Sequence, residues 1–210
     1  MVTCNVIALM VPQISVNVRY MKASVFITGT GRCGTTFLVR LFTHLGMDTG
    51  YNEESIDGVY RECNSGLESN FNWPHRIVKN PYFLEALRTG ARNPSLKIEW
   101  VVIPIRDYGD ASRSRARLSR EHEKAGHMGI CRGGLCRGAR TEEEQERLDK
   151  CALASYMLAM VECDIPTIFL DFTRMTSDHG YLYERLRPML PLTVSTSMFV
   201  DAYNKASAIS

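Results

Sequence analysis

The chain has 210 residues and a net charge of +2, with 45% hydrophobic and 23% charged residues. This length suits one domain with a sizeable core, and the composition is that of an ordinary globular protein. The small net charge gives no reason to predict nucleic-acid or membrane-surface binding, so any basic chemistry must come from local clusters.

The seven cysteines indicate a reducing compartment. Their number is odd and no C-x-x-C pair occurs, whereas a secreted disulfide framework usually has an even, patterned set. We therefore predict a cytoplasmic protein. Cys131 and Cys136 lie near His127, but their spacing fits no standard zinc pattern and no second ligand pair follows, so no metal site is predicted. No apolar run is long enough to cross a bilayer, so no membrane span is expected.

The first 20 residues are expected to lie outside the domain. Residues 5–11 are mostly apolar, but they lack the basic region and the small-residue cleavage site of a signal peptide. Met21 opens a segment that leads directly into a strand. We therefore expect residues 1–20 to be a poorly ordered extension and residues 21–210 to form a single domain.

A strand, a glycine-rich loop and a helix are predicted at the start of this domain. Residues 23–28 are short, partly β-branched and followed by glycine, which is typical of a buried strand. The loop covers 29–34. The helix after it has apolar residues at helical spacing and should end at Gly46, a usual C-terminal stop. Residues 47–74 are polar and are predicted to be a loop.

Strands and helices alternate along the rest of the chain. Further strands are predicted from short apolar runs at 75–79, 98–105 and 165–171. Further helices are predicted at 81–87, 110–124, 141–162 and from Ser177 or Asp178 to Leu190, with a loop at 125–140. Thr141 and Glu144 have the spacing of a capping box. The alternation predicts an α/β domain with a mainly parallel central sheet flanked by helices.

The residues 29–36, GTGRCGTT, have the composition and setting of a phosphate-binding loop. Glycines let backbone amides curl around an anion, and the following helix adds unpaired N–H groups and a partial positive charge. Thr35 and Thr36 place two hydroxyl donors at the same point. The spacing is G-x-x-x-x-G, but Thr35 stands where a Walker loop has lysine, and Arg32 precedes Gly34 instead.

This segment resembles the 5′-phosphosulfate loop of sulfotransferases that use 3′-phosphoadenosine-5′-phosphosulfate (PAPS). In that family a Lys or Arg precedes Ser-Gly-Thr-Thr, and Cys33 here replaces the serine, which removes one hydroxyl donor. The resemblance implies a P-loop-type three-layer domain with a mainly parallel central sheet. It also implies a set of residues that bind the cofactor: Gly31, Arg32, Cys33, Gly34, Thr35 and Thr36.

A second segment resembles the 3′-phosphate motif of the same family. Arg106 follows the strand 98–105 at its carboxyl end, where α/β sheets bind ligands, and Ser114 comes eight residues later on the next helix. A guanidinium fork and a hydroxyl are suitable ligands for a phosphate dianion. Tyr108 stands where the family often has proline. The helix has further arginines, most of which are expected to face water: Arg113, Arg115, Arg117 and Arg120.

Two further segments carry weaker resemblances. Residues 78–83, VKNPYF, are similar to the Lys-x-Pro-x-Tyr-Phe segment of carbohydrate sulfotransferases, where the lysine lies in the active site. By this resemblance Lys79 neutralises sulfate or phosphate oxygens, and the alternative is a solvated surface lysine. The loop 131–138 looks like one found in prokaryotic sulfotransferases, and by that resemblance it folds over the nucleotide.

A general base should take the proton of the acceptor. Glu54 lies about where carbohydrate sulfotransferases carry a catalytic glutamate, and it is the first choice for this role. His75 is the second choice. The alternative for Glu54 is a solvated loop carboxylate with no catalytic part.

The resemblance implies transfer of the PAPS sulfuryl group to a hydroxyl or amine by in-line displacement. The acceptor is expected to be a small molecule or carbohydrate, and the product nucleotide is adenosine 3′,5′-bisphosphate. Arg32 and the amides of residues 34–36 stabilise the leaving 5′-phosphate, and no metal is implied. Two alternatives stay open. One is a P-loop nucleotide kinase or NTPase, with Asp107 as the Walker-B acid, although the loop lysine is missing. The other is a non-catalytic nucleotide-binding protein.

Overall fold

The computed structural model describes residues 24–56, 66–69, 74–81, 97–126, 131 and 133–208. Its centre is a sheet of parallel strands in the order β2-β1-β3-β4. The strands are β1 (Ser24–Ile27), β2 (Ile77–Lys79), β3 (Ile98–Ile105) and β4 (Thr167–Asp171). This confirms the predicted α/β class and the parallel sheet. Because the strands are parallel, their carboxyl ends meet at one edge, which we call the carboxyl edge.

Helices flank the sheet on both faces. The described helices are α1 (Thr35–His44), α2 (Glu53–Ile56), α3 (Tyr108–Lys124), α4 (Glu142–Glu162), α5 (Phe172–Ser177), α6 (His179–Leu186) and α7 (Thr196–Ala208). A 3-10 turn, Arg187–Met189, extends α6. No helix in the described part of the chain is long and apolar enough to span a membrane.

The alternation of side chains along β1 divides the core into two halves. Val25 and Ile27 belong to a cluster with α1, α6 and α7, whereas Phe26 belongs to a second cluster with α4. Tyr156 of α4 is fully buried in that second cluster. The sheet is therefore covered by helices on both faces, as expected for a three-layer α/β domain.

The structure confirms most predicted elements and corrects the end of the chain. The side chain of Asp178 caps α6, but this helix ends at Leu186, because Pro188 allows only a 3-10 turn beyond it. Three described helices, α2, α5 and α7, were not predicted, and α2 lies in the segment 47–74 that was predicted to be a loop. The predicted strand 75–79 is shorter and starts at Ile77. The predicted extension 1–20 and almost all of the predicted helix 81–87 fall outside the described residues.

The sequence signal for the end of α1 is fully realised in the structure, whereas the capping box predicted at the start of α4 forms only in part. Gly46 ends α1 with a φ of 71°, and the N–H of Met47 donates to the carbonyl of Phe42, as in a Schellman motif. At the start of α4, the hydroxyl of Thr141 accepts from the N–H of Glu144. The carboxylate of Glu144 accepts from the N–H of Arg140 instead of from Thr141, so only half of the capping box forms.

Candidate functional site

The loop of residues 29–34 between β1 and α1, which we call the phosphate loop after its sequence motif, lies at the carboxyl edge and has an unusual backbone. Positive φ angles occur at Gly29, Gly31 and Gly34 (151°, 85° and 87°) and at Arg32 (58°). Glycine adopts such angles without the steric cost that a Cβ atom brings. A Cβ on Gly31 would also overlap the guanidinium of Arg115, so this position requires glycine for two reasons. The glycines of the loop therefore permit its backbone shape.

Cys33 lies in this loop with its side chain fully buried. Burial raises the pKa of the Cys33 thiol, and a hydrogen bond from the backbone of Gly31 partly opposes that rise. The thiol packs inside the loop beside Gly29. Cys33 therefore fills the interior of the loop, and its thiol is not exposed.

The two motifs predicted from the sequence meet at the carboxyl edge. The Nε of Arg32 donates to the hydroxyl of Ser114 over 3.3 Å, although these residues are 82 positions apart. A guanidinium nitrogen of Arg106 donates to the backbone carbonyl of Arg32 over 3.2 Å. The guanidinium of Arg106 also lies 4.7 Å from the ring centroid of Phe172, at the start of α5. Arg32, Arg106 and Ser114 therefore form one polar cluster beside the loop.

Lys79 is buried below the same loop, which excludes the alternative of a solvated surface lysine. Its side chain is 3% exposed, and its ammonium group donates to Glu68 over 2.5 Å and to the carbonyl of Gly66 over 2.7 Å. The hydroxyl of Thr36 lies 3.5 Å from the same nitrogen. Burial lowers the pKa of Lys79, and the carboxylate of Glu68 opposes this shift. The lysine is thus part of the site, paired with a carboxylate.

Glu68 reaches the carboxyl edge because residues 66–69 lie alongside the end of β2. The N–H of Ser69 donates to the carbonyl of Lys79, and the N–H of Lys79 donates to the hydroxyl of Ser69, each over 2.8 Å. The side chain of Glu68 keeps 42% of its surface exposed while it bonds the buried lysine. It is therefore an ion-paired carboxylate that solvent and a ligand can reach.

The structure places Glu54 away from this cluster. Its neighbour Glu53 bonds His44 and Lys205, each over 3.1 Å, and His44 is the last residue of α1. The phosphate loop precedes the first residue of the same ten-residue helix, about 15 Å away along its axis. Glu54 is exposed near that far end. The structure does not bring it together with Arg32 and Lys79.

His75, the second choice for a base, lies at the opposite edge of the sheet. Its Nδ1 is 2.7 Å from a carboxylate oxygen of Asp48. Because it precedes β2, whereas the phosphate loop follows β1, it sits at the amino edge of two parallel strands. His75 is therefore also not part of the cluster at the carboxyl edge.

Most arginines of α3 face water as expected, and Arg115 is the exception because it is buried. Its side chain is 4% exposed and donates to the carbonyls of Thr30 and Gly134 over 2.6 and 2.8 Å. Its Nε lies 3.9 Å from a carboxylate oxygen of Asp149, which is fully buried in α4. The remaining arginines of this helix are exposed as expected: Arg113, Arg117 and Arg120.

The glycine-rich loop 131–138 is held against α3 and α4 by polar side chains. The N–H of Leu135 donates to the hydroxyl of Ser119 over 2.9 Å, and the N–H of Cys136 donates to the side-chain carbonyl of Gln145 over 2.7 Å. Gly134 is buried. Through Arg115, this loop is one side chain away from the phosphate loop.

Three residues of the site were not selected from the sequence: Glu68, Arg115 and Phe172. Arg115 shares a helix face with Ala111 and Leu118, four residues before it and three after it, and this spacing is a signal that it is buried. Glu68 and Phe172 have no such local signal, because each is brought to the site by the fold.

No family model matches the chain, and no curated protein is significantly similar to it.

Proposed function

We propose that the chain is a sulfotransferase that uses PAPS as its sulfuryl donor. The observation that carries the proposal is the contact between Arg32 of the phosphate loop and Ser114 of the second motif. In adenosine 3′,5′-bisphosphate both phosphates are attached to one ribose, so the groups that bind them must be close neighbours. This requirement is met because Arg32, Arg106 and Ser114 lie together at the carboxyl edge of the sheet.

In the proposed reaction an acceptor hydroxyl or amine attacks the sulfur of PAPS in line with the leaving phosphate. The new bond forms between the acceptor and sulfur, the bond from sulfur to the bridging oxygen breaks, and the acceptor proton passes to a base. Negative charge then grows on the 5′-phosphate. Arg32 and the unpaired N–H groups at the start of α1 stabilise that charge. Residues of the phosphate loop and Arg106 with Ser114 bind the two phosphate groups.

Lys79 and Glu68 supply the remaining charges of the proposed site. Lys79 lies beside the hydroxyl of Thr36, in the first turn of α1, where it adds a positive charge next to the phosphosulfate loop. Glu68 is the exposed carboxylate that the fold brings to the same place, and we assign it the role of general base in preference to Glu54. The ion pair with Lys79 holds this carboxylate at the carboxyl edge, and its exposed part can contact an acceptor.

The kinase alternative depends on Asp107 as a ligand for a nucleotide-bound metal ion. The carboxylate of Asp107 instead accepts from the N–H of Asp110 over 2.9 Å and caps α3. Together with the missing loop lysine, this contact favours a metal-free sulfuryl transfer over the kinase function.

The ligand is tested by thermal unfolding with three nucleotides. Adenosine 3′,5′-bisphosphate at a hundredfold excess over its Kd should stabilise the protein by about 2.7 kcal/mol, which is roughly 5–10 °C in Tm. AMP lacks the 3′-phosphate and should stabilise it less. In Arg106→Ala the difference between these two ligands should shrink. Equal or greater stabilisation by ATP with magnesium would overturn the proposal in favour of a kinase.

A further inference from the structure

A buried arginine connects the two glycine-rich loops. The two terminal nitrogens of Arg115 donate in different directions, one to the carbonyl of Thr30 in the phosphate loop and one to the carbonyl of Gly134. The residue is 4% exposed, and α3, which carries it, also carries Ser114. The side chain therefore occupies the interior between the loops.

A loop that binds an anion with its N–H groups must keep its carbonyl groups turned away from the anion. Thr30 lies between Gly29 and Gly31, and glycines on both sides make rotation of the adjoining peptides inexpensive. A rotation at this point would turn a carbonyl oxygen toward the ligand. The hydrogen bond from Arg115 to Thr30 is charged, short and shielded from water, so it opposes that rotation.

The other partner of Arg115 is itself fixed. Loop 131–138 is anchored through Ser119 on α3 and through Gln145 on α4. The Nε2 of Gln145 also donates to Asp149, the buried carboxylate that faces Arg115. Arg115 therefore connects the glycine-rich segment around Thr30 to the loop 131–138, which is itself bonded to both α3 and α4.

We propose that Arg115 is a positioning residue that holds the phosphate loop in its anion-binding shape by tying it to the loop 131–138. The proposal rests on the proposed function only in the choice of adenosine 3′,5′-bisphosphate as the binding probe. Arg115 is not expected to touch the ligand, because its guanidinium is occupied by two carbonyl groups on the buried side of the loop.

The test compares Arg115→Ala with Arg113→Ala, which removes an exposed arginine of the same helix. In Arg115→Ala, amide hydrogen exchange should become faster in residues 29–36 and 131–138 together, but not in α7. The affinity for adenosine 3′,5′-bisphosphate should fall at least tenfold, the usual scale for losing a charged hydrogen bond. Added guanidinium ion should restore part of that affinity, and Arg113→Ala should behave as the wild type.

Unchanged exchange in residues 29–36, or faster exchange spread evenly over the whole chain, would overturn the positioning role. If Arg115→Ala does not fold, Arg115→Lys takes its place, because lysine keeps the buried charge but lacks the guanidinium fork. Amide hydrogen exchange and bisphosphate affinity are then measured on that variant and decide the result in the same way. Failure of the wild type to bind the bisphosphate would refute the proposed function. The exchange data would still decide the role of Arg115, because they need no ligand.

Discussion

At the scale of single residues, the site depends on how charged groups are buried and paired. Lys79 is withdrawn from water, and this burial lowers its pKa; the carboxylate of Glu68 opposes that shift. Arg32 and Arg106 remain closer to the surface and take hydrogen bonds with Ser114 and with the loop backbone. The buried Lys79 is thus paired with an acid, whereas Arg32 and Arg106 are only partly buried.

The assignment of the base predicts a difference between two glutamates. Glu68→Gln keeps the shape of the side chain and removes its basicity, so turnover should fall about a hundredfold. Glu54→Gln is the control, since Glu54 lies near the far end of α1. Slow hydrolysis of PAPS can serve as the assay, with water as the acceptor. Full activity in Glu68→Gln would show that the base lies elsewhere.

The sequence was sufficient to select residues that the fold brings together, where their position depends on local pattern. Arg32 and Thr36 belong to one continuous motif, and Arg106 and Ser114 are set by the strand-to-helix junction that holds them. Glu68 could not be chosen over Glu54, because the choice depends on where a long polar segment returns to the sheet. That return is made by hydrogen bonds between Ser69 and Lys79, which no spacing in the sequence encodes.

At the scale of elements, the strength of the local signal decided what was predicted. The strand β3 is a continuous apolar run and was predicted from Ile98 to Ile105 as it stands. The helix α7 was missed, although its buried residues recur at helical spacing. These residues are Phe199, Ala202, Tyr203 and Ala206. They lie among serines and other small polar residues at the end of the chain, and the apolar stripe is visible only when the spacing is counted.

The packing of α3 against α4 predicts a dependence of stability on pH. Burial raises the pKa of Asp149, and Arg115 opposes that rise with help from Gln145 and Arg137. Arg115→Met removes the main opposing charge, so the pKa of Asp149 should rise further. Below the unfolded-state pKa of about 3.9, Asp149 is neutral in both the folded and the unfolded protein, and its burial costs little. As the pH rises through the folded-state pKa, the buried carboxyl must ionise, and stability is lost.

Thermal unfolding between pH 5 and pH 8 checks this expectation. Relative to the wild type, Arg115→Met should lose more stability at pH 8 than at pH 5. The loss at pH 8 should approach 3 kcal/mol, the lower end for breaking a buried ion pair, or about 6–12 °C in Tm. Asp149→Asn in the Arg115→Met background should remove the added pH dependence. Parallel curves for wild type and Arg115→Met would contradict the coupling of these two residues.

At the scale of the whole molecule, the carboxyl edge is supported from both faces of the sheet. On one face α3 and α4 anchor the loop 131–138, and Arg115 of α3 connects that loop to the phosphate loop. On the other face α1, which begins at the phosphate loop, is covered by α7. The rings of Phe37 and Tyr203 meet edge to face with centroids 5.6 Å apart across that contact. The position of the loop therefore depends on an element more than 150 residues later in the chain.

Phe199 and Met198 are adjacent in α7 and test this dependence. Phe199 is fully buried in the cluster that α1 shares, and its ring lies 5.1 Å from that of Tyr183. Phe199→Ala should lower the free energy of unfolding by about 3–5 kcal/mol, because it removes an aromatic contact and leaves a cavity. Met198 is 48% exposed, so Met198→Ala should change stability by no more than about 0.5 kcal/mol. Denaturant unfolding of both variants measures the difference. Equal effects would mean that α7 does not pack on α1 as described, and the support of the phosphate loop from this face would then have to be abandoned.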